Sequence, residues 1–132
     1  MKTLLTIFTL LFTLLFSSNS FADWTKVNES EIGNHYVDFG KIRKQDGFVY
    51  FWTLFDLLKP DSDGDLSYKN YKQGDCKLFR FKSLSFSFHK EPMGGGTGRT
   101  INPKNSKWGY PPPNSMDEGM LKKVCSRWVL DN

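Results

Sequence analysis

The chain has 132 residues, a formal charge of +4 and an aromatic share of 16%. That length bounds it to one domain with a modest core, which a covalent staple would help. The charge is too mild to name a partner; it favours solubility and an acidic counter-surface without pointing to nucleic acid.

Met1, Lys2 and Thr3 give the chain a positive start, and residues 4–16 then run apolar. Ser17, Ser18, Asn19, Ser20, Phe21 and Ala22 follow, with small side chains at 20 and 22 where signal peptidase requires them. The apolar run is about 13 residues, against the roughly 20 that a membrane-spanning helix needs. Residues 1–22 are therefore expected to be a signal peptide and residues 23–132 a single exported domain of charge +3, without a transmembrane segment after cleavage. Asp23, not Cys, follows the expected cut, so no lipid anchor is expected there. Export to the periplasm, the medium or the cell surface also takes the domain away from nucleic acid.

Residues 23–27 alternate weakly and predict a first short strand, residues 29–34 a turn, and residues 35–39 a second strand. Residues 40–45 read as a polar connection or a single helical turn. Asp46 and Gly47 are a strong turn signal. Residues 48–58 are apolar or aromatic on both alternating faces, which predicts a central strand ended by Pro60. Residues 61–65 read as a hairpin loop, and residues 66–73 as a more polar return strand nearer solvent. Gly74 and Asp75 break the chain before the longest strand candidate, residues 76–90, with Cys76 at its start. There Leu84, Phe86 and Phe88 alternate with Ser83, Ser85 and Ser87, whereas Phe79 and Phe81 have the opposite parity. Either a bulge near Lys82 and Ser83 realigns them, or both faces are partly covered. Residues 94–98 form a glycine-rich turn, residues 99–102 a short sixth strand, and residues 103–114 an irregular, proline-rich segment.

The last element is the clearest. Ser115 and Glu118 form a capping box, Asp117 and Glu118 suit the helix N-terminus, and Lys122, Lys123 and Arg127 suit its other end. Met116, Met120, Leu121, Val124, Cys125 and Trp128 make one apolar stripe. Cys76 and Cys125 are the only cysteines. In an oxidising compartment such a pair is expected to bond, pinning helix to sheet; two free thiols are the alternative, and no Cys-x-x-Cys motif supports a redox role.

In their order along the chain these features resemble the bacterial surface-adhesin protein E-like family. The resemblance is carried by Tyr36, Val37 and Asp38 followed by Lys41, Ile42 and Arg43; by Val49, Tyr50, Phe51 and Trp52; by Asp75 and Cys76; by the turn from Gly94 to Gly98; by Trp108 followed by Pro113, Asn114 and Ser115; and by Val124 and Cys125. It implies an α+β fold: a curved antiparallel sheet of about six strands, with a C-terminal helix packed on it and held by a disulfide. It further implies a cell-surface role, with some members binding host extracellular-matrix proteins.

Other motifs point to no chemistry. Residues 61–65 begin like a calcium loop, but Leu66 and Lys72 stand where that loop needs Gly and Glu. The glycine-rich turn lacks the Lys and Ser/Thr of a phosphate loop. His35 and His89 have no companions at zinc-ligand spacing. No nucleophile elbow or catalytic constellation is legible, so neither an enzyme nor a cofactor is expected. Two basic groups remain as candidate binding residues: Lys41, Arg43 and Lys44, and a second set of Lys77, Arg80 and Lys82 with Lys69 and Lys72 nearby. They suit an acidic glycan, lipopolysaccharide or an acidic protein, or simply keep a sheet face solvated. The helix covers one face of the aromatic strand, leaving the other to meet a second copy or a partner. The expected function is an exported cell-envelope module that binds protein or glycan; the alternative is a soluble periplasmic carrier or inhibitor.

Overall fold

Strict alternation across residues 48–57 places Val49, Phe51, Thr53 and Phe55 on one side of the chain and Phe48, Tyr50, Trp52 and Leu54 on the other, as any strand must. The computed structural model, which describes residues 22–130, builds the domain around this strand. All of the expected signal peptide but Ala22 lies outside the described residues. In chain order the elements are β1 (Trp24–Glu29), β2 (Gly33–Asp38), a 3-10 turn (Phe39–Lys41), β3 (Arg43–Gln45), β4 (Phe48–Leu57), β5 (Ser67–Asp75), β6 (Arg80–His89), a second 3-10 turn (Pro92–Gly94), β7 (Gly98–Ile101) and α1 (Met116–Leu130).

The strands form one antiparallel sheet in the order β1-β2-β4-β5-β6-β7, with β3 beside β4. β2 pairs with Thr53–Leu57 and β3 with Phe48–Tyr50, so the two share one edge of β4. β3 is the seventh strand, where the sequence predicted only a connection. It is too short and polar to announce itself; the turn at Asp46 (φ 53°) and Gly47 (φ 80°) folds it back onto β4 as a two-residue hairpin with positive φ at both central positions.

Of the two alternatives for this strand the structure shows the bulge, with Phe79 left outside the strand. Tyr71 lies opposite Ser85 but Lys72 lies opposite Ser83, leaving Leu84 as the extra residue. This brings Phe81, Phe86 and Phe88 onto one face despite their mixed parity. Two other expectations need correction. Cys76 does not begin a strand. The Asp75 carboxylate accepts N–H bonds from Lys77 (3.1 Å) and Leu78 (3.2 Å), curling residues 76–79 into a turn, and β6 starts only at Arg80. Nor is β5 near solvent: it lies between β4 and β6, with Ser67, Lys72, Gly74 and Asp75 buried. Its polar side chains are tolerated because each has a partner: Ser67 donates to the Glu91 carbonyl (2.7 Å), Lys72 pairs with Asp117 (3.2 Å) and Asp75 with Arg80 (3.1 Å).

Helix α1 covers one sheet face. The Glu118 N–H donates to Ser115 Oγ (3.1 Å), and the Glu118 carboxylate accepts from the Asn114 N–H (3.2 Å), so the cap works in both directions. Met120, Leu121 and Val124 meet Val27, Val37, Val49 and Phe51 in the main core. Each such side chain contributes roughly 1.5–3 kcal/mol on burial. At the seam's end Cys76 and Cys125 are bonded, their Cα atoms 5.6 Å apart across 49 residues of sequence. The helix can approach this closely because Gly74 has no side chain: a Cβ there would stand 2.8 Å from Val49 Cγ2 and 3.3 Å from Leu121 Cδ1. On the opposite face the Leu54 end is sealed by the Pro92–Gly94 turn, whose Met93 and Gly94 N–H groups donate to Asp56 (2.7 Å) and Ser67 (2.8 Å).

Two measurements check this architecture. Cys125→Ser should lower Tm by about 10 °C or more, since closing a loop of this length stabilises by about 4 kcal/mol on the chain-entropy model; equal melting of variant and wild type would contradict the clamp. Gly74→Ala should cost roughly 1–3 kcal/mol in urea unfolding by overpacking the seam, and an unchanged midpoint would show that the helix does not press on the sheet there.

Candidate functional site

The face away from α1 carries the aromatic side of β4. Tyr50, Trp52 and Tyr71 form a half-exposed cluster, with the Tyr71 ring 4.8 Å from Trp52 and 6.2 Å from Tyr50. Arg43 lies over Tyr50 at 5.0 Å and donates to the Tyr71 hydroxyl (3.4 Å). At the next cross-strand row Trp108 is laid onto the sheet from the irregular segment. Phe81 and Gly109 exchange N–H···O bonds of 3.0 and 2.8 Å, docking that segment on the edge of β6. Trp108 then stacks near Phe48 (5.5 Å), with the Arg80 guanidinium 4.5 Å and the Lys82 ammonium 4.8 Å from its ring.

Arg80 is held there by Asp75, whose carboxylate accepts from its Nε at 3.1 Å. Burial pushes the Asp75 carboxyl up, but the N–H groups of Leu78 and Lys77 and the Arg80 guanidinium outweigh it and hold the group below the usual carboxylate range. Asp75 thus stays charged and fixes both the turn and the arginine. The strip combines planar rings with cations whose positions are set by those rings, an arrangement suited to an electron-rich partner.

The structure divides the two basic groups read from the sequence. Arg43, Arg80 and Lys82 share the strip. Lys41 is exposed at its far end, lining a cleft of about 150 Å3 with Trp24, Asp38, Trp52 and Lys69. Lys44 points the other way, donating to the Trp128 carbonyl (3.0 Å) with its ammonium 4.8 Å from the Trp128 ring. Lys77 stands exposed in the 76–79 turn. Lys72 faces the helix: burial pushes its ammonium down, and Asp117, 3.2 Å away, pulls it back up. Basic-residue counting missed the aromatic half of the strip. Tyr50 and Trp52 stood in a strand read as having one uncovered face, whereas Trp108 lay in a segment with no periodicity to place it.

The remaining candidates have close neighbours, although the Nδ1 atoms of His35 and His89 are buried without a hydrogen-bond partner. The carboxylates of Asp61, Asp63 and Asp65 lie within 4.8 Å of one another. Asp61 accepts the N–H groups of Asp63 and Asp65 (both 2.9 Å) and the Tyr68 hydroxyl, while Lys90 pairs with Asp65 at 2.9 Å and supplies the positive charge. Burial and the Asp61 hydrogen bond push the Tyr68 phenol up to about 12. His35 stacks on Phe55 (4.1 Å) on the helix side; His89, on the other face, shares a 2.8 Å hydrogen bond with Ser87. Among the described residues no helix is long and apolar enough to cross a membrane.

Comparison with known proteins agrees with this architecture. Two crystal structures of protein E from Haemophilus influenzae are similar in fold. One, from a non-typeable strain, superposes with a TM-score of 0.64 at 15% identity, covering 86% of this chain and 82% of that one. The other, of crystal form II, gives 0.59 at 16% identity, covering 80% and 98%. At such identities the likeness establishes the fold alone. No curated protein matches the sequence. The family model for surface-adhesin protein E, however, matches residues 24–126, nearly the whole described body. The chain therefore belongs to the surface-adhesin protein E family.

Proposed function

We propose that this protein is an exported binding module of the cell envelope that holds a protein or glycan partner through the strip on the sheet face away from α1. The observation that supports this reading is the pairing of cations with half-exposed rings on that face: Arg43 over Tyr50, and Arg80 and Lys82 over Trp108. Aromatic and arginine side chains are the residue types that carry most of the energy at binding surfaces. Their order costs little on binding, because strand pairing, Asp75 and ring contacts already restrain them. The opposite face is covered by α1 over Val37, Val49 and Phe51; beyond the helix it carries Phe55, Tyr68 and Phe88, with Arg99 5.0 Å from the Phe88 ring, against three cations over rings on the strip. Membership of a surface-adhesin family supports a location at the outer surface. Asp23 at the expected mature start favours a second location, free in the periplasm.

Protease treatment of intact cells separates the two: digestion of the domain fits surface display, and survival with release in the periplasmic fraction fits the carrier or inhibitor reading. On surfaces coated with extracellular-matrix protein or acidic polysaccharide, Arg43→Gln combined with Lys82→Gln should cut retention of residues 23–132 about tenfold at low salt. Lys122→Gln on the exposed side of α1 should leave it unchanged. Retention lost equally in both variants, or in neither, would overturn the assignment of the face.

A further inference from the structure

Resting on that assignment, we infer that the partner's chemistry is that of an acidic polysaccharide, a chain of sugar rings bearing carboxylate or sulfate groups, and not an apolar protein patch. Three observations carry this. First, the strip is an extended sheet surface: Tyr50, Trp52, Tyr71 and Trp108 spread over two strands and a docked segment, so it suits a linear ligand lying across it. Second, its apolar component is aromatic. The large hydrophobic side chains exposed on this domain are Ile32, Leu58, Leu78, Met93, Ile101 and Tyr110, none of them in the strip, and the aliphatic Leu54 beneath it is sealed. A protein hot spot ordinarily adds buried aliphatic or aromatic anchors in fully desolvated pockets; flat rings without them match the C–H faces of pyranose sugars.

Third, the charge is spaced. Arg43, Tyr50, Gln73 and Lys82 form one cross-strand row. The backbone positions of the two end residues are therefore three strand spacings, about 14 Å, apart at roughly 4.8 Å per strand. Between them lie the Tyr50 ring, over which Arg43 already sits, and an amide that both donates and accepts; Trp52 and Tyr71 beside the row offer rings for a sugar to stack on. A polymer with a regularly repeated anion meets both ends at once, and two weak contacts on one chain reinforce each other. Arg80 is already paired with Asp75 and serves to hold Trp108, so Arg43 and Lys82 are the pair that reads the anions.

The test uses residues 23–132 with the disulfide intact and chondroitin sulfate as the probe, against two comparators: dextran, which has sugar rings without charge, and poly-L-glutamate, which has charge without rings. Chondroitin sulfate should bind saturably, about tenfold tighter than poly-L-glutamate, with dextran undetected. Trp52→Ala should remove most of the margin over poly-L-glutamate, and Arg43→Gln with Lys82→Gln should flatten the salt dependence. Circular dichroism and the melting curve check that each variant is folded; Lys122→Gln, on the exposed side of α1, should retain the margin. Equal binding of poly-L-glutamate and chondroitin sulfate would overturn the inference. So would capture of a matrix protein that chondroitin sulfate does not displace, a result that would leave the assignment of the face intact. Loss of all binding by every probe and matrix protein would instead remove the assignment itself.

Discussion

The contact between α1 and the sheet sets everything else in this molecule. A domain of this size has little apolar area to bury, and the sequence puts apolar or aromatic residues on both faces of its central strand. One helix can cover one of those faces. The apolar stripe of α1, the missing side chain at Gly74 and the Cys76–Cys125 bond all favour the same face, where Val37, Val49 and Phe51 form the floor of the core. Each device acts at a different level. Burial supplies the attraction, glycine removes the steric obstacle, and the covalent bond reduces the freedom of the unfolded chain.

A consequence of committing the helix to one side is that the other keeps its rings half-exposed. Exposed aromatic surface invites non-specific association. Here the cations temper it: Arg43, Arg80 and Lys82 sit against the rings and present charge to solvent. In the proposed reading, the same contacts that protect the isolated protein preset the geometry in which an anionic partner is met. Solubility and recognition thus draw on one set of side chains, and the Asp75 turn connects them to the fold, since it organises residues 76–79, places Cys76 for the disulfide and holds Arg80.

The elements with their own local signal were legible in the sequence. The two-faced apolar run gave β4, the turn at Asp46 and Gly47 appeared where expected, and the Ser115 cap with its apolar stripe gave α1. What was not legible depends on distant partners. β3 exists because β4 offers it an edge beyond the end of β2, and its three polar residues carry no pattern. Lys72 reads as a surface residue until Asp117, 45 residues on, is folded against it. Cys76 reads as strand because the turn that holds it is made by the Asp75 side chain, not by glycine or proline. The candidate site shows the same division. Its basic residues were visible by composition, but their sorting onto opposite faces required the register, and Trp108 required the Gly109 bridge to β6.

Native-state hydrogen exchange, read at the amides of α1 and β4 with the disulfide intact and then reduced, tests the clamp most directly. In the oxidised domain the amides of Leu121 and Val124 should exchange as slowly as those of Phe51 and Thr53, in one cooperative unit. After reduction the helix amides should exchange much faster while β4 keeps a larger share of its protection. Identical exchange in the two states, or a helix already faster than the sheet while the bond is intact, would contradict the claim that the covalent tie fixes α1 on this face.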